Sequence, residues 1–347
     1  MNKLYRCFLL TGWLIAGGPR TGIPVRAVQP EPYFPVSGDT AWETCKPSEL
    51  DWDETAMSAL KTFLKASRTK AFIILADGRI ALEWYGKGHT ANSVHEWNSA
   101  GKTLITTAVG VARHRGLLRL DDPVSVHLGN GWTNMPGDKE RLITIRHLLS
   151  MTSGIDETRL LDVRRNLTYA ADAGTRWAYG TVFRKLMDVV AAASGQPFDV
   201  FFDHAVARPI GLDGSWHHGL ISTIYHSTAR GMARFGLLAL HLGSWAGIQV
   251  VDAAFFRESI APSQPFNPSY GYLWWLNGQS TYLLPRNPHI HPGPLLPNAP
   301  TDLYAAMGAN DQRLYVIPSR NLVVVRLGNA TPDFDRQVWT HLNALIN

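Results

Sequence analysis

The β-type segments of this 347-residue chain gather at its two ends. Near the start, "AFIILADGRIALEWYG" holds two runs rich in β-branched and aromatic residues joined by Asp77 and Gly78, a pairing that favours a tight hairpin. Near the end, "GYLWWLNG", "TDLYAAMGA", "RLYVIPS" and "NLVVVRLG" are short β-type runs separated by Gly, Pro or Asn, followed by the helical pattern "DFDRQVWTHLNALI". Between Leu104 and about Leu242 the pattern is mainly helical, as in "TIRHLLSM", "TVFRKLMDVVAAAS" and "ARGMARFGLLALHL". A chain written this way folds as an α+β protein. One antiparallel sheet is built from both termini and flanked by N- and C-terminal helices, with an all-helical lobe inserted. The expected division is a single domain over 28–347, its sheet lobe taking about 50–100 plus 250–347 and its helical lobe about 101–249. "PRNPHIHPGPLLPNAP", near 285–300, reads as a Pro-rich surface loop, and no internal repeat is seen.

Three S-x-x-K tetrads occur: Ser58 with Lys61, Ser67 with Lys70, and Ser99 with Lys102. The first falls on the wet side of an amphipathic helix, "DETAMSALKTFLKAS", whose Met57, Leu60, Phe63 and Leu64 share the other face. The second sits where that helix gives way to the hairpin. Ser99 and Lys102 stand instead at the start of "LITTAVGVA", a run apolar on every side and so a buried helix. Its N-terminal end leaves backbone N–H groups free, and a three-residue spacing puts hydroxyl and amine side by side. Two readings stand on these residues alone: an acyl-forming serine with its proton partner, or a helix cap beside a snorkelling Lys.

The N-terminus pairs Lys3 and Arg6 with an apolar run from Cys7 to Ala16, too short to span a bilayer. It reads as a signal peptide over residues 1–27 cleaved after Ala27, which implies an exported protein, periplasmic or secreted, without a stable membrane span once the leader is removed. Four of the five net positive charges, Lys3, Arg6, Arg20 and Arg26, lie in that leader without an acid beside them. The remainder has no basic run with interleaved aromatics, so nucleic-acid binding is not expected. With Cys7 in the leader, Cys45 stands alone and an intrachain disulfide is excluded. The thirteen His include His217–His218 and His289/His291 but no metal-binding framework, and neither metal nor organic cofactor is expected.

With these segments in hand, the chain resembles the penicillin-recognising serine hydrolases, most closely the class C β-lactamase-like branch with its esterases, D-alanyl peptidases and 6-aminohexanoate-dimer hydrolases. "WNSAGKTL" looks like the nucleophile segment, "LRLDDPVSVHL" and "ITIRHLLSMTSGI" like the helices after it, and "AGTRWAYGT" like the tyrosine motif. "ARFGLLAL", "YGYLWWLNG" and "QRLYVIPSRNLVVVRLGN" continue the likeness in order. The resemblance implies a β-lactamase/transpeptidase-like fold. It implies Ser99 as nucleophile, Lys102 as the group that takes or shares its proton, and Tyr179 as the phenol that passes a proton to the leaving group. A serine hydroxyl is a weak nucleophile until a neighbour removes its proton, which is why the chemistry needs such partners.

Two departures shape the expected substrate. The family's Y-x-N reads "YGT" here, so Thr181 stands where an amide would contact Lys and substrate, and a hydroxyl makes only part of those bonds. The third element, K-T-G or H-x-G in many relatives, reads "MGAND" and holds no cation. Gly308 still admits a substrate backbone, and the N–H of Ala309 joins that of Ser99 as the expected oxyanion hole. Losing the charge that would hold a substrate carboxylate argues for a small-molecule ester or a less acidic amide or peptide over β-lactams and D-alanyl peptides. Arg313 and Arg176 are the candidate replacement cations. Of Trp274 and Trp275, both taken as candidate substrate contacts, adjacent strand positions send one to the core and the other toward the pocket. An α/β-hydrolase is excluded, because no Ser here lies in G-x-S-x-G. The rival of another class is a non-catalytic binding protein on the same fold.

Overall fold

Asp53 accepts a hydrogen bond from the Ala56 backbone N–H at 2.6 Å and so caps helix α1 (Glu54–Ala66). In the computed structural model, which describes residues 32–37, 41–219 and 222–346, the buried face of α1 is Met57, Leu60 and Leu64. The leader read in residues 1–27 lies outside the described residues. Ser58 and Lys61 are exposed, and Ser67 is buried with its hydroxyl bonded to the Leu64 carbonyl and to Thr69. Neither of the first two S-x-x-K tetrads therefore faces an opening.

Strands β1 (Thr69–Ala76) and β2 (Arg79–Tyr85) pair antiparallel around Asp77 and Gly78, both with positive φ, as a two-residue hairpin turn requires. In and around the stretch expected to be mainly helical, the structure adds two small antiparallel sheets. One has the order β3 (His95–Glu96), β5 (Thr223–Ser227), β4 (Ser215–His218); the other is the ribbon of β6 (Ser244–Trp245) with β7 (Ile248–Gln249). Each strand is at most five residues long, too short for alternation to stand out from its surroundings.

The C-terminal strands are β8 (Trp275–Leu276), β9 (Thr281–Leu284), β10 (Asn287–Pro292), β11 (Tyr304–Gly308), β12 (Gln312–Ile317) and β13 (Leu322–Gly328). The main sheet has the order β2-β1-β13-β12-β11-β8, so the first hairpin joins the last strand of the chain, as expected for a sheet built from both termini. Phe72, Ile73, Ile74 and Leu75 of β1 are all buried, so both faces of the sheet are covered. The C-terminal helix Phe334–Ile346 packs with α1, Phe63 stacking on Phe334 at 5.8 Å. The helix Ala229–Leu240 lies on β12 and β13, and a Cβ at Gly236 would come within 2.4 Å of Val323, so glycine sets the depth of that contact. Part of the segment read as a Pro-rich loop is instead the exposed β9–β10 hairpin, which lies apart from the main sheet. Its irregular pairing leaves room for the two prolines of β10. Residues Pro32–Asn347 form one compact unit, and among the described residues no helix is long and apolar enough to cross a membrane.

Candidate active site

Ser99 lies in a single 3-10 turn, Asn98–Gly101, that runs straight into helix α2 (Lys102–His114), of which Lys102 through Ala112 are buried. Trp97, fully buried, fixes the turn from behind: its backbone N–H donates to the Tyr225 carbonyl at 2.9 Å and its ring meets Tyr225 edge-on. Asn98 takes a left-handed φ of 50°, which Asn tolerates, and its amide donates to Glu96 and to the Ala309 carbonyl, each at 3.2 Å. The end of β11 thus closes on the serine turn. At Gly308 a Cβ would stand 2.3 Å from the Trp97 carbonyl oxygen, so any other residue would push strand and turn apart.

Lys102 Nζ donates to Ser99 Oγ at 2.6 Å. Lys102 is 7% exposed, and instead of a carboxylate its amine faces two rings, Tyr179 at 4.7 Å and Phe183 at 4.5 Å from their centroids. Tyr179 is half-buried, stacks on Trp275 at 6.0 Å and meets Tyr270 edge-on at 6.1 Å. Its hydroxyl has no hydrogen-bond partner among the described residues. The Ser99 hydroxyl, the Lys102 amine and the Tyr179 ring, drawn from two separate stretches of chain, therefore lie together. Tyr270 is fully buried, its hydroxyl without a partner among the described residues, and burial first, then the neighbouring Tyr179, push its phenol well above the usual range.

Ser99 opens onto two cavities. The larger, about 480 Å³, is lined by Tyr179, Trp275, Met307, Gly308, Ala309 and residues of the β9–β10 hairpin; the smaller, about 200 Å³, by Lys102, Phe183 and Trp216 among others. Two expected contacts are corrected. Trp274 is fully buried against Phe235, Phe256 and Tyr304 and lines neither cavity, because the strand alternation that turns Trp275 outward turns Trp274 into the core. Thr181 sits half-buried at the head of the 3-10 turn Val182–Arg184 and lines neither cavity, leaving Gly180 at the wall.

The two candidate replacement cations are both committed. Arg313 lines the larger cavity, but its guanidinium reaches Asp335 at 2.8 and 2.9 Å, Asp311 at 3.0 Å and the Gly308 carbonyl at 2.8 Å. Burial pushes the Asp335 carboxyl up, yet Arg313 and a hydrogen bond from Tyr315 outweigh it and hold the carboxyl below its ordinary value. Arg176 forks onto Glu157 at 3.0 and 2.5 Å, and that contact holds Glu157 low. The sequence reading did not single out Arg286, exposed at the hairpin turn and on the rim of the larger cavity, nor Leu160, Leu284, Leu295 and Met307 on its walls. A hairpin written as "LLPRNPHIHP" carries no alternation that would have marked it. Among the described residues no cluster of three or more His, Cys, Asp or Glu side chains could hold a metal ion.

Residues 59–347 match the model of the beta-lactamase family, and the chain belongs to that family. An uncharacterized protein of Alkalihalophilus pseudofirmus is 26% identical over 320 residues, 80% of this chain and 89% of that one. Esterase EstB of Burkholderia gladioli is 31% identical over 140 residues, a match that spans 33% of this chain and 36% of the esterase. Among solved structures, EstCE1, a hydrolase with promiscuous acyltransferase activity, superposes with a TM-score of 0.64 at 15% identity, covering 87% of this chain and 99% of its own. At that identity the likeness is one of fold.

Proposed function

We propose that this member of the beta-lactamase family is a serine hydrolase that forms an acyl-enzyme on Ser99 and cleaves a small-molecule ester or weakly acidic amide. The observation that carries the reading is the 2.6 Å contact between Lys102 Nζ and Ser99 Oγ at the mouth of two cavities, with the Tyr179 ring against the same amine. In this reading Ser99 Oγ bonds to the carbonyl carbon as its proton passes to the Lys102–Tyr179 pair and on to the departing oxygen or nitrogen. The N–H groups of Ser99 and Ala309, residues that line both cavities, receive the oxyanion. Water then releases the acid and restores the hydroxyl.

The state of Arg313 favours this substrate class over β-lactams and D-alanyl peptides. Its charge is spent on Asp335 and Asp311, so it offers little to a substrate carboxylate. Export through the leader read in residues 1–27 belongs to the same proposal. A fluorophosphonate probe tests it: labelling is expected for the wild type and lost in Ser99→Ala, whereas a binding protein without catalysis gives no labelling at all. Rates on p-nitrophenyl acetate, nitrocefin and 6-aminohexanoate dimer then rank the chemistries, and a preference for nitrocefin over both others would overturn the ester and amide assignment.

A further inference from the structure

We propose that the larger cavity holds the leaving group and the smaller one the acyl group, which makes the chain selective for esters of a short acid with a bulky apolar alcohol. This rests on the reading of Ser99 as nucleophile and Tyr179 as proton donor to the leaving group. The two cavities share only Ser99 and Ala309 among their described lining residues. A carbonyl carbon on Ser99 Oγ, its oxygen between those two N–H groups, therefore has one remaining substituent for each cavity. The departing oxygen has to meet a proton donor, and of these two cavities Tyr179 lines the larger and not the smaller. Lys102, on the smaller side, already spends its contact on Ser99 Oγ. The alcohol is thereby directed into about 480 Å³ and the acyl chain into about 200 Å³.

The walls agree with the volumes. Leu160, Trp275, Leu284, Leu295 and Met307 surround the space assigned to the alcohol. The space assigned to the acyl chain sets Ile105, Phe183 and Trp216 beside Asn98, Lys102 and Arg184, so a short chain finds apolar contact there while a long one would also take water from the polar groups without replacing its hydrogen bonds. The proton balance closes. Ser99 loses its proton as the C–Oγ bond forms, Tyr179 delivers one to the alkoxide as the C–O bond breaks, and the Ser99 proton restores the phenol through Lys102.

Two isomeric esters test the assignment at constant composition: octyl acetate and ethyl octanoate, each followed by titration of the released acid with the full chain. Octyl acetate is expected to have the higher kcat/KM by at least about tenfold. Replacing Leu295→Trp, which fills the larger cavity, is expected to lower the octyl acetate to ethyl octanoate ratio by about fivefold or more. Equal rates, a preference for ethyl octanoate, or a ratio indifferent to Leu295→Trp would overturn the partition. If p-nitrophenyl acetate is cleaved in a Ser99-dependent way in that same preparation, only the partition falls; if no ester is cleaved through Ser99, the functional reading falls and the partition with it.

Discussion

Lys102 and Arg313 are equally buried, each 7% exposed, and both stand beside the junction of the Ser99 turn with β11, yet their surroundings are opposite. The guanidinium is saturated by two carboxylates and two backbone carbonyls. The Lys102 amino group has a serine hydroxyl and two aromatic faces, with no ion pair among the described residues. A buried ion pair is structural equipment that is costly to break from one side. A buried amine aimed at a lone hydroxyl adds little to the fold, and in the proposed function it moves a proton. One basic residue is thus tied into the architecture and the other is left for the proposed chemistry, although the sequence writes both as single basic residues.

That contrast predicts a dissociation of activity from stability. Lys102→Met should lower ester kcat/KM by about a thousandfold while leaving the thermal midpoint nearly unchanged; a large fall in midpoint would show the amine to be structural. Arg313→Met should do the reverse, costing about 3–5 kcal/mol in denaturant unfolding because Asp335 is left buried without its partner. Adding Asp335→Asn should recover part of that loss, and failure to recover would mean that the pair is not the unit.

The acid limb of stability sharpens the same comparison. Asp335 is held below its unfolded value, so its contribution is present above that value and is lost as pH falls through the folded one. Asp335→Asn should therefore flatten the fall of thermal midpoint below about pH 4, while Lys102→Met should leave that limb unchanged. The smallest effect is expected at Tyr270. Its buried hydroxyl has no partner among the described residues, so Tyr270→Phe should be neutral or stabilising by about 1 kcal/mol in the same unfolding assay, and a loss of that size would reveal a missing bond.

The sheet built from both ends was legible because its strands are long and bounded: β1 and β13 run seven to eight apolar-rich residues, and Asp77–Gly78 names its own turn. Ser99 and Lys102 were legible through the buried helix behind them, and Tyr179 through the family resemblance. What escaped was decided by three-dimensional pairing. Nothing local in "QRLYVIPS" says that Arg313 will find Asp335 across a 22-residue separation, nor that the Pro-bearing run after Leu284 will fold into a hairpin forming part of the cavity wall. Thr181 was placed by motif position alone, and at the head of its turn it lines neither cavity. Trp274 and Trp275 were separable as a pair but not individually, since alternation fixes the difference between neighbours and the register alone fixes which one faces in.

The most direct test is to quench the enzyme with acid during turnover of p-nitrophenyl acetate and map the acyl group by peptide mass. The expected result is one acetyl group on the peptide that contains Ser99, accumulating more strongly when deacylation is slow and absent from Ser99→Ala. An acetyl group on any other residue, or undiminished turnover by Ser99→Ala, would contradict the assignment of that serine.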